Sequence, residues 1–145
     1  MGISILKTNA APTTILIRLV VGAVFLSEGI QKFVIPDLRG SGRFNKIGLP
    51  SPEFLGNFVG FFEVACGVLI VLGLLTRLAS IPLIIIMIVA FGATKSEVFI
   101  HEGFWELLHG SRTDWAMLLC SVFLLVEGGG RWSVDHVLTS KRLHG

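Results

Sequence analysis

Long apolar runs separated by short polar stretches make up most of this chain. The first run covers about residues 13–34 and is stopped by Pro36, which cannot continue a helix. Pro12-Thr13-Thr14 suits a helix start, since proline is tolerated in the first turn. Residues 1–11 are short and mixed, and read as a loose tail or an interfacial turn. Asp37 to Pro50 is a polar loop carrying Arg39, Arg43 and Lys46. A second run follows over about 52–75. Ser51 offers a cap, Pro52 fits the first helical position, and Glu53 favours the positive helix end.

From Ala65 to Ala93 the only charge is Arg77. One helix of that length would overshoot a hydrocarbon core, which about 20 residues cross. Gly73-Leu74-Leu75-Thr76-Arg77 therefore reads as a tight turn, with a third span over about 78–95 and Pro82 near its start. The fourth span is placed at about 113–130. Its apolar heart, Trp115 to Val126, is only 12 residues. It reaches membrane length with Thr113 and Gly130 included, Trp115 and Trp132 then serving as interfacial anchors. After Gly128-Gly129-Gly130, the tail from Arg131 to Gly145 is polar and interfacial. The expected fold is all-α: one integral membrane domain over residues 1–145, a multi-pass bundle of four antiparallel helices.

Composition agrees. Charged residues are 15% and apolar residues 52%, against about 25% charged in a soluble domain; mean hydropathy is +0.79. The lipid bilayer is the expected partner. Net charge is only +2, and no basic cluster is dense enough for nucleic acid. Cys66 and Cys120 lie far apart in apolar runs, which suits buried, inert thiols. The first apolar run continues into Ser27-Glu28-Gly29-Ile30-Gln31-Lys32-Phe33 without a small-residue cleavage site, so it reads as a span and not as a cleaved leader. Four spans put both termini on one side, with Lys7, Arg18, Arg77, Arg131, Lys141 and Arg142. Lys32, Arg39, Arg43, Lys46, Lys95 and Arg112 fall on the other. Six against six sets no orientation.

Four ionisable residues sit inside the oily runs: Arg18, Glu28, Lys32 and Glu63. Charge at bilayer depth persists mainly where it faces protein, a partner charge or water. Arg18, Gly22, Phe25, Gly29 and Lys32 recur at steps of 4, 3, 4 and 3 and share one helical stripe. Glu28 lies beside that stripe, four residues before Lys32. Gly56, Gly60, Glu63, Gly67 and Leu74 form a matching seam in the second span. Small residues let membrane helices approach closely, so the two faces are expected to meet, with Glu63 near mid-bilayer. Arg18 and Lys32 lie toward opposite surfaces, and Glu63 reaches at most one of them. Two readings stay open: an ion-pair network that fixes helix register, or a polar pocket that binds a quinone or passes protons, with Glu63 as the exchangeable group.

His101-Glu102-Gly103-Phe104-Trp105-Glu106-Leu107-Leu108-His109 would place Glu102, Glu106 and His109 on one face if helical. It lacks a strong ligand motif such as His-Glu-x-x-His, so no metal site is expected. It reads as an interfacial amphipathic segment, with His101 able to offer a hydrogen bond to a quinone carbonyl.

Three motifs in order carry a family resemblance over nearly the whole chain. They are Arg18-x-x-x-Gly22-x-x-Phe25-x-x-x-Gly29-x-x-Lys32-Phe33; Glu63-x-x-x-Gly67 leading to Gly73-Leu74-Leu75-Thr76-Arg77; and Gly128-Gly129-Gly130-Arg131-Trp132-Ser133-Val134-Asp135. Together they resemble the DoxX family, although Gly129 stands where many members have proline. The resemblance implies a four-helix protein of the bacterial inner membrane with both termini cytoplasmic. It implies a role as a quinone- or quinol-linked redox subunit, or an oxidoreductase-associated protein. Arg18, Lys32, Glu63 and Asp135 carry over as matching polar positions. Glu63 is the catalytic candidate; Arg18, Lys32, Glu28, His101 and Asp135 are the binding candidates. No motif for flavin, haem or an iron–sulfur cluster is present, so redox chemistry would need a quinone or redox partner subunits. A non-catalytic scaffold subunit and a small-molecule transporter remain the alternatives, the latter needing a homo-oligomer or a larger pathway. The residues do not decide between a catalytic and a structural role.

Overall fold

The computed structural model describes residues 5–143. Expectations for residues 1–4 and 144–145 of the two tails lie outside the described residues. The fold is all-helical, with no strand among the described residues. Helix α1 is Thr14–Val34, α2 Pro36–Arg39, α3 Ser41–Lys46, α4 Pro52–Leu72, α5 Thr76–Glu102, α6 Phe104–Gly110, α7 Arg112–Glu127 and α8 Val134–Leu143. Three of these, α1, α4 and α5, are long and apolar enough to cross a membrane. Large apolar side chains face outward on all three, among them Leu16, Phe61 and Ile88. Lipid solvates such a surface, whereas water does not.

Local chemistry sets most helix ends. Pro36 ends α1 and opens α2. Pro52 opens α4, but the expected Ser51 cap is not used. Ser51 has φ 47° and its side chain makes no capping bond. At the far end Gly73, φ 70°, completes a Schellman motif. The Gly73 and Leu74 N–H groups donate to Ile70 and Leu69 at 3.0 and 2.9 Å.

Several boundaries differ from the sequence expectation. Asp37 to Pro50 is not simply a loop, because it holds α2 and α3. Helix α5 does not stop near residue 95 but runs to Glu102. Its 27 residues span about 40 Å, beyond a hydrocarbon core of about 30 Å. Charged residues enter at Lys95 and Glu97, yet the helix continues through them. Gly103, φ 90°, then breaks the chain before α6, so Glu102 does not share a helix with Glu106 and His109. Helix α7 has 16 residues and stops at Gly128.

One buried cluster draws on every long helix: Val21 and Phe25 of α1, Cys66 and Ile70 of α4, Ala79 and Leu83 of α5, Met117 and Leu124 of α7. The tightest pairing is α1 with α4, which run antiparallel. Gly22 faces Val71 and Gly67, Gly29 faces Val64 and Glu63, and Gly60 faces Lys32 and Phe33. A Cβ on Gly67 would stand 2.9 Å from the Leu26 amide nitrogen and 3.1 Å from the Gly22 carbonyl oxygen. Only hydrogen fits there. Helices α5 and α7 make the second pair. Past Leu83, α5 buries no further residue, so the two pairs part toward its C-terminal end.

Gly67→Leu is expected to lower the thermal midpoint in detergent and the amount of protein in the membrane. The loss is about 1–3 kcal/mol, as for overpacking a close contact. Gly92→Leu is the control, because nothing lies within 4 Å of a Cβ there. Equal melting of the two variants would refute the close approach of α1 and α4.

Candidate functional site

The end at which the helix pairs meet is held by a polar knot. Asp135, at the start of α8, is 1% exposed. Its two carboxylate oxygens accept from the Leu75 and Thr76 amides at 2.7 and 2.9 Å. Leu75 has φ 50°, and α5 has no side-chain cap of its own. Asp135 therefore caps α5 from a distant part of the chain. Its own amide donates to the Gly73 carbonyl at 2.9 Å. Arg18 reaches the same knot from α1, donating from Nη1 to the Gly129 carbonyl at 2.8 Å.

Where the pairs part, a cleft of about 560 Å³ opens. It is lined by the late turns of α1, the early turns of α4, the second half of α5, the start of α7, and α3. Phe25, Phe58, Ile86, Phe91 and Met117 are among its apolar walls. On one wall Lys32 Nζ stands 2.6 Å from Glu63 Oε2, with the two residues 8% and 4% exposed. The contact is a close, buried ion pair. Glu28 lines the same cleft, and its carbonyl oxygen lies 3.5 Å from Lys32 Nζ. On the opposite wall Lys95 Nζ pairs with Asp114 Oδ2 at 3.1 Å and donates to the Gly110 carbonyl at 2.8 Å.

The six sequence candidates thus divide. Glu28, Lys32 and Glu63 come together in the cleft. Arg18 and Asp135 lie in the knot at the other end, engaged with backbone groups. His101 is exposed near the end of α5 and does not line the cleft. Among the described residues no group of three His, Cys, Asp or Glu side chains is placed to hold a metal ion.

Arg39, Arg43, Lys95 and Asp114 also line the cleft and were not singled out by sequence. A signal existed for two of them. Lys95 and Asp114 are opposite charges at the facing ends of the third and fourth apolar runs, which a hairpin brings to one level. Arg39 and Arg43 gave none, because their direction depends on α2 and α3.

Long helices with lipid-facing side chains, joined around a buried polar knot and a charged cleft, define a helical membrane protein. The chain belongs to the DoxX family, whose model matches residues 13–102. It is 48% identical over 143 residues to an uncharacterized membrane protein of Mycobacterium tuberculosis, covering 94% of this chain and 88% of that one. It is 28% identical over 123 residues to CatD of Bacillus subtilis, whose name assigns it provisionally to the oxidoreductases; 84% of each chain is covered. No solved structure matches it.

Removing one partner of a buried ion pair leaves the other charge uncompensated. Lys32→Met should destabilise the protein by about 3 kcal/mol, the low end for such a break because this pair borders a cleft. Lys32→Met with Glu63→Gln should recover most of the loss. Additive melting shifts in that cycle would show that the two side chains do not interact. Asp135→Ala strips both cap bonds from α5 and should cost about 2 kcal/mol, the upper range for a helix cap; an unchanged thermal midpoint would rule out the capping role.

Proposed function

We propose that this DoxX protein is a four-span antiparallel bundle of the bacterial inner membrane, one domain with both termini cytoplasmic, whose cleft handles a quinone or quinol for a redox complex. Helix α7 is the fourth span. With Gly128–Gly130 and the exposed Trp115 and Trp132, it reaches from one interface to the other. The observation that carries the functional reading is the buried Lys32–Glu63 pair on the wall of an apolar cleft. A cleft of this volume falls in the range of ligand pockets, roughly 300–1,000 Å³. Its apolar walls suit a quinone ring and its isoprenoid tail. The oxidoreductase name of CatD supports the same class of chemistry.

Lys32 presents an ammonium donor for a quinone oxygen, and Glu63 is the group that exchanges the proton. Quinol oxidation releases two electrons and two protons. Glu63 takes the protons in turn and returns them to water through the Glu28 side of the cleft. The electrons pass to a redox partner subunit, since the chain has no motif for a redox centre of its own.

The test is purification in detergent, extraction of bound quinone, and quinol oxidation against a soluble one-electron acceptor, alone and with any co-purifying subunits. Glu63→Gln should stay in the membrane and lose about 100-fold in turnover, the scale of one general acid–base group. Unchanged turnover would remove Glu63 from proton handling. Co-purifying subunits without bound quinone, and without turnover, would instead make the protein a scaffold.

A further inference from the structure

The cleft has a second chemical feature that the quinone reading does not use. Its mouth is formed where the chain leaves α1 and folds into α2 and α3, and there Arg39 and Arg43 line it. Both are exposed, and among the described residues neither guanidinium makes a hydrogen bond or a contact ion pair, although Arg43 acts on the Glu63 carboxylate through longer-range charge. Lys32 and Lys95, by contrast, are each matched by a carboxylate, Glu63 and Asp114. Glu28 is the one acidic lining residue left over. The mouth therefore carries a surplus of positive charge held in forks suited to phosphate oxygens. The same lining is otherwise largely apolar, with Phe44, Ile47 and Leu49 of this segment beside Phe58 of α4 and Ile86 of α5.

We infer that the cleft seats an anionic glycerophospholipid drawn from the surrounding bilayer. Its phosphate lies against Arg39 and Arg43, and one acyl chain lies along the apolar walls, in the space a quinone tail would otherwise take, so the two occupants exclude one another. Charge complementarity selects the headgroup, while the largely apolar lining selects a chain over a free anion. Position favours a lipid too. The arginines follow directly on the C-terminal end of a membrane-spanning helix, at the level where headgroup phosphates sit. The inference does not depend on quinone chemistry, because its readout is retention of lipid by protein to which no quinone has been added.

The experiment is native mass spectrometry of the full chain in neutral detergent, titrated with phosphatidylglycerol or phosphatidylcholine. Wild-type protein should retain one phosphatidylglycerol with about thirtyfold preference over phosphatidylcholine, as expected for two arginines facing a headgroup of net charge −1 in place of one whose choline cation makes it neutral. Arg39→Gln with Arg43→Gln should lose that preference; neither guanidinium makes a hydrogen bond or contact ion pair, but Arg43 acts on the Glu63 carboxylate through longer-range charge, so Arg39→Gln alone, which should weaken the preference, separates binding from any effect on Glu63. Ala93→Trp, which fills the half-buried wall of α5 and removes no charge, should lose retention of both lipids. Millimolar inorganic phosphate should leave the bound phosphatidylglycerol in place. Equal retention of the two lipids, or an unchanged preference in the double variant, would overturn the proposal. So would displacement by phosphate alone, which makes the mouth a free-anion site, or full retention by Ala93→Trp, which puts the chain outside the cleft.

Discussion

Backbone contact between α1 and α4 is the constraint from which the site follows. Gly22 and Gly29 on one helix, and Gly67 on the other, leave no room for a Cβ between the two axes, and Gly60 packs tightly against the side chains of Lys32 and Phe33. In lipid there is little hydrophobic gain in pressing helices together, so close packing of small residues supplies the attraction. Once the helices touch, Glu63 has no route to lipid. It lies between Gly60 and Gly67 on the same seam and must face α1. Lys32 is the basic residue at that level, and the 2.6 Å contact results. Arg18, about four turns earlier on α1, is left to the opposite end.

The molecule then behaves as two helix pairs joined at one end. The join is polar: Asp135 caps α5, Gly73 turns α4 into α5, and Arg18 holds the Gly129 carbonyl. These groups satisfy backbone donors and acceptors that no water would reach at a buried helix end. With that end fixed, the divergence of α5 beyond Leu83 separates the pairs elsewhere, and the cleft is the space between them. The knot thereby sets the geometry of a site it does not touch.

Periodicity made the α1–α4 seam legible, because glycine spacing at 3.6 residues per turn names the faces that meet. It also limited Glu63 to a single cationic partner, and Lys32 is the one in contact. Helix ends were less legible. Lys95 to Glu102 read as polar because hydropathy reports the surroundings, while α5 continues regardless. Ser51 has the residue type of a cap, but its backbone is left-handed where a cap is normally extended, and its side chain makes no capping bond. Asp135 was visible as a motif residue, yet its bond to α5 crosses 60 positions of sequence. No local pattern reports such a contact. Arg39 and Arg43 depended on the path of two short helices whose amphipathic signal covers too few residues to stand out.

The residues that carry the family resemblance divide by what they do in the structure. Arg18, Gly73, Gly129 and Asp135 build the knot, and Gly22, Gly29 and Gly67 build the seam. Lys32 and Glu63 alone among the motif positions place charge in the cleft. The shared pattern therefore describes a frame that presents one buried ion pair, and the same frame can serve different ligands. On the proposed reading, ligand choice would fall to lining residues outside the motifs: Arg39 and Arg43 at the mouth, Phe91 and Met117 on the walls, and the Lys95–Asp114 pair opposite. A relative that keeps the frame and changes these residues would keep the fold while taking a different occupant, because fold and site are specified by separate side chains.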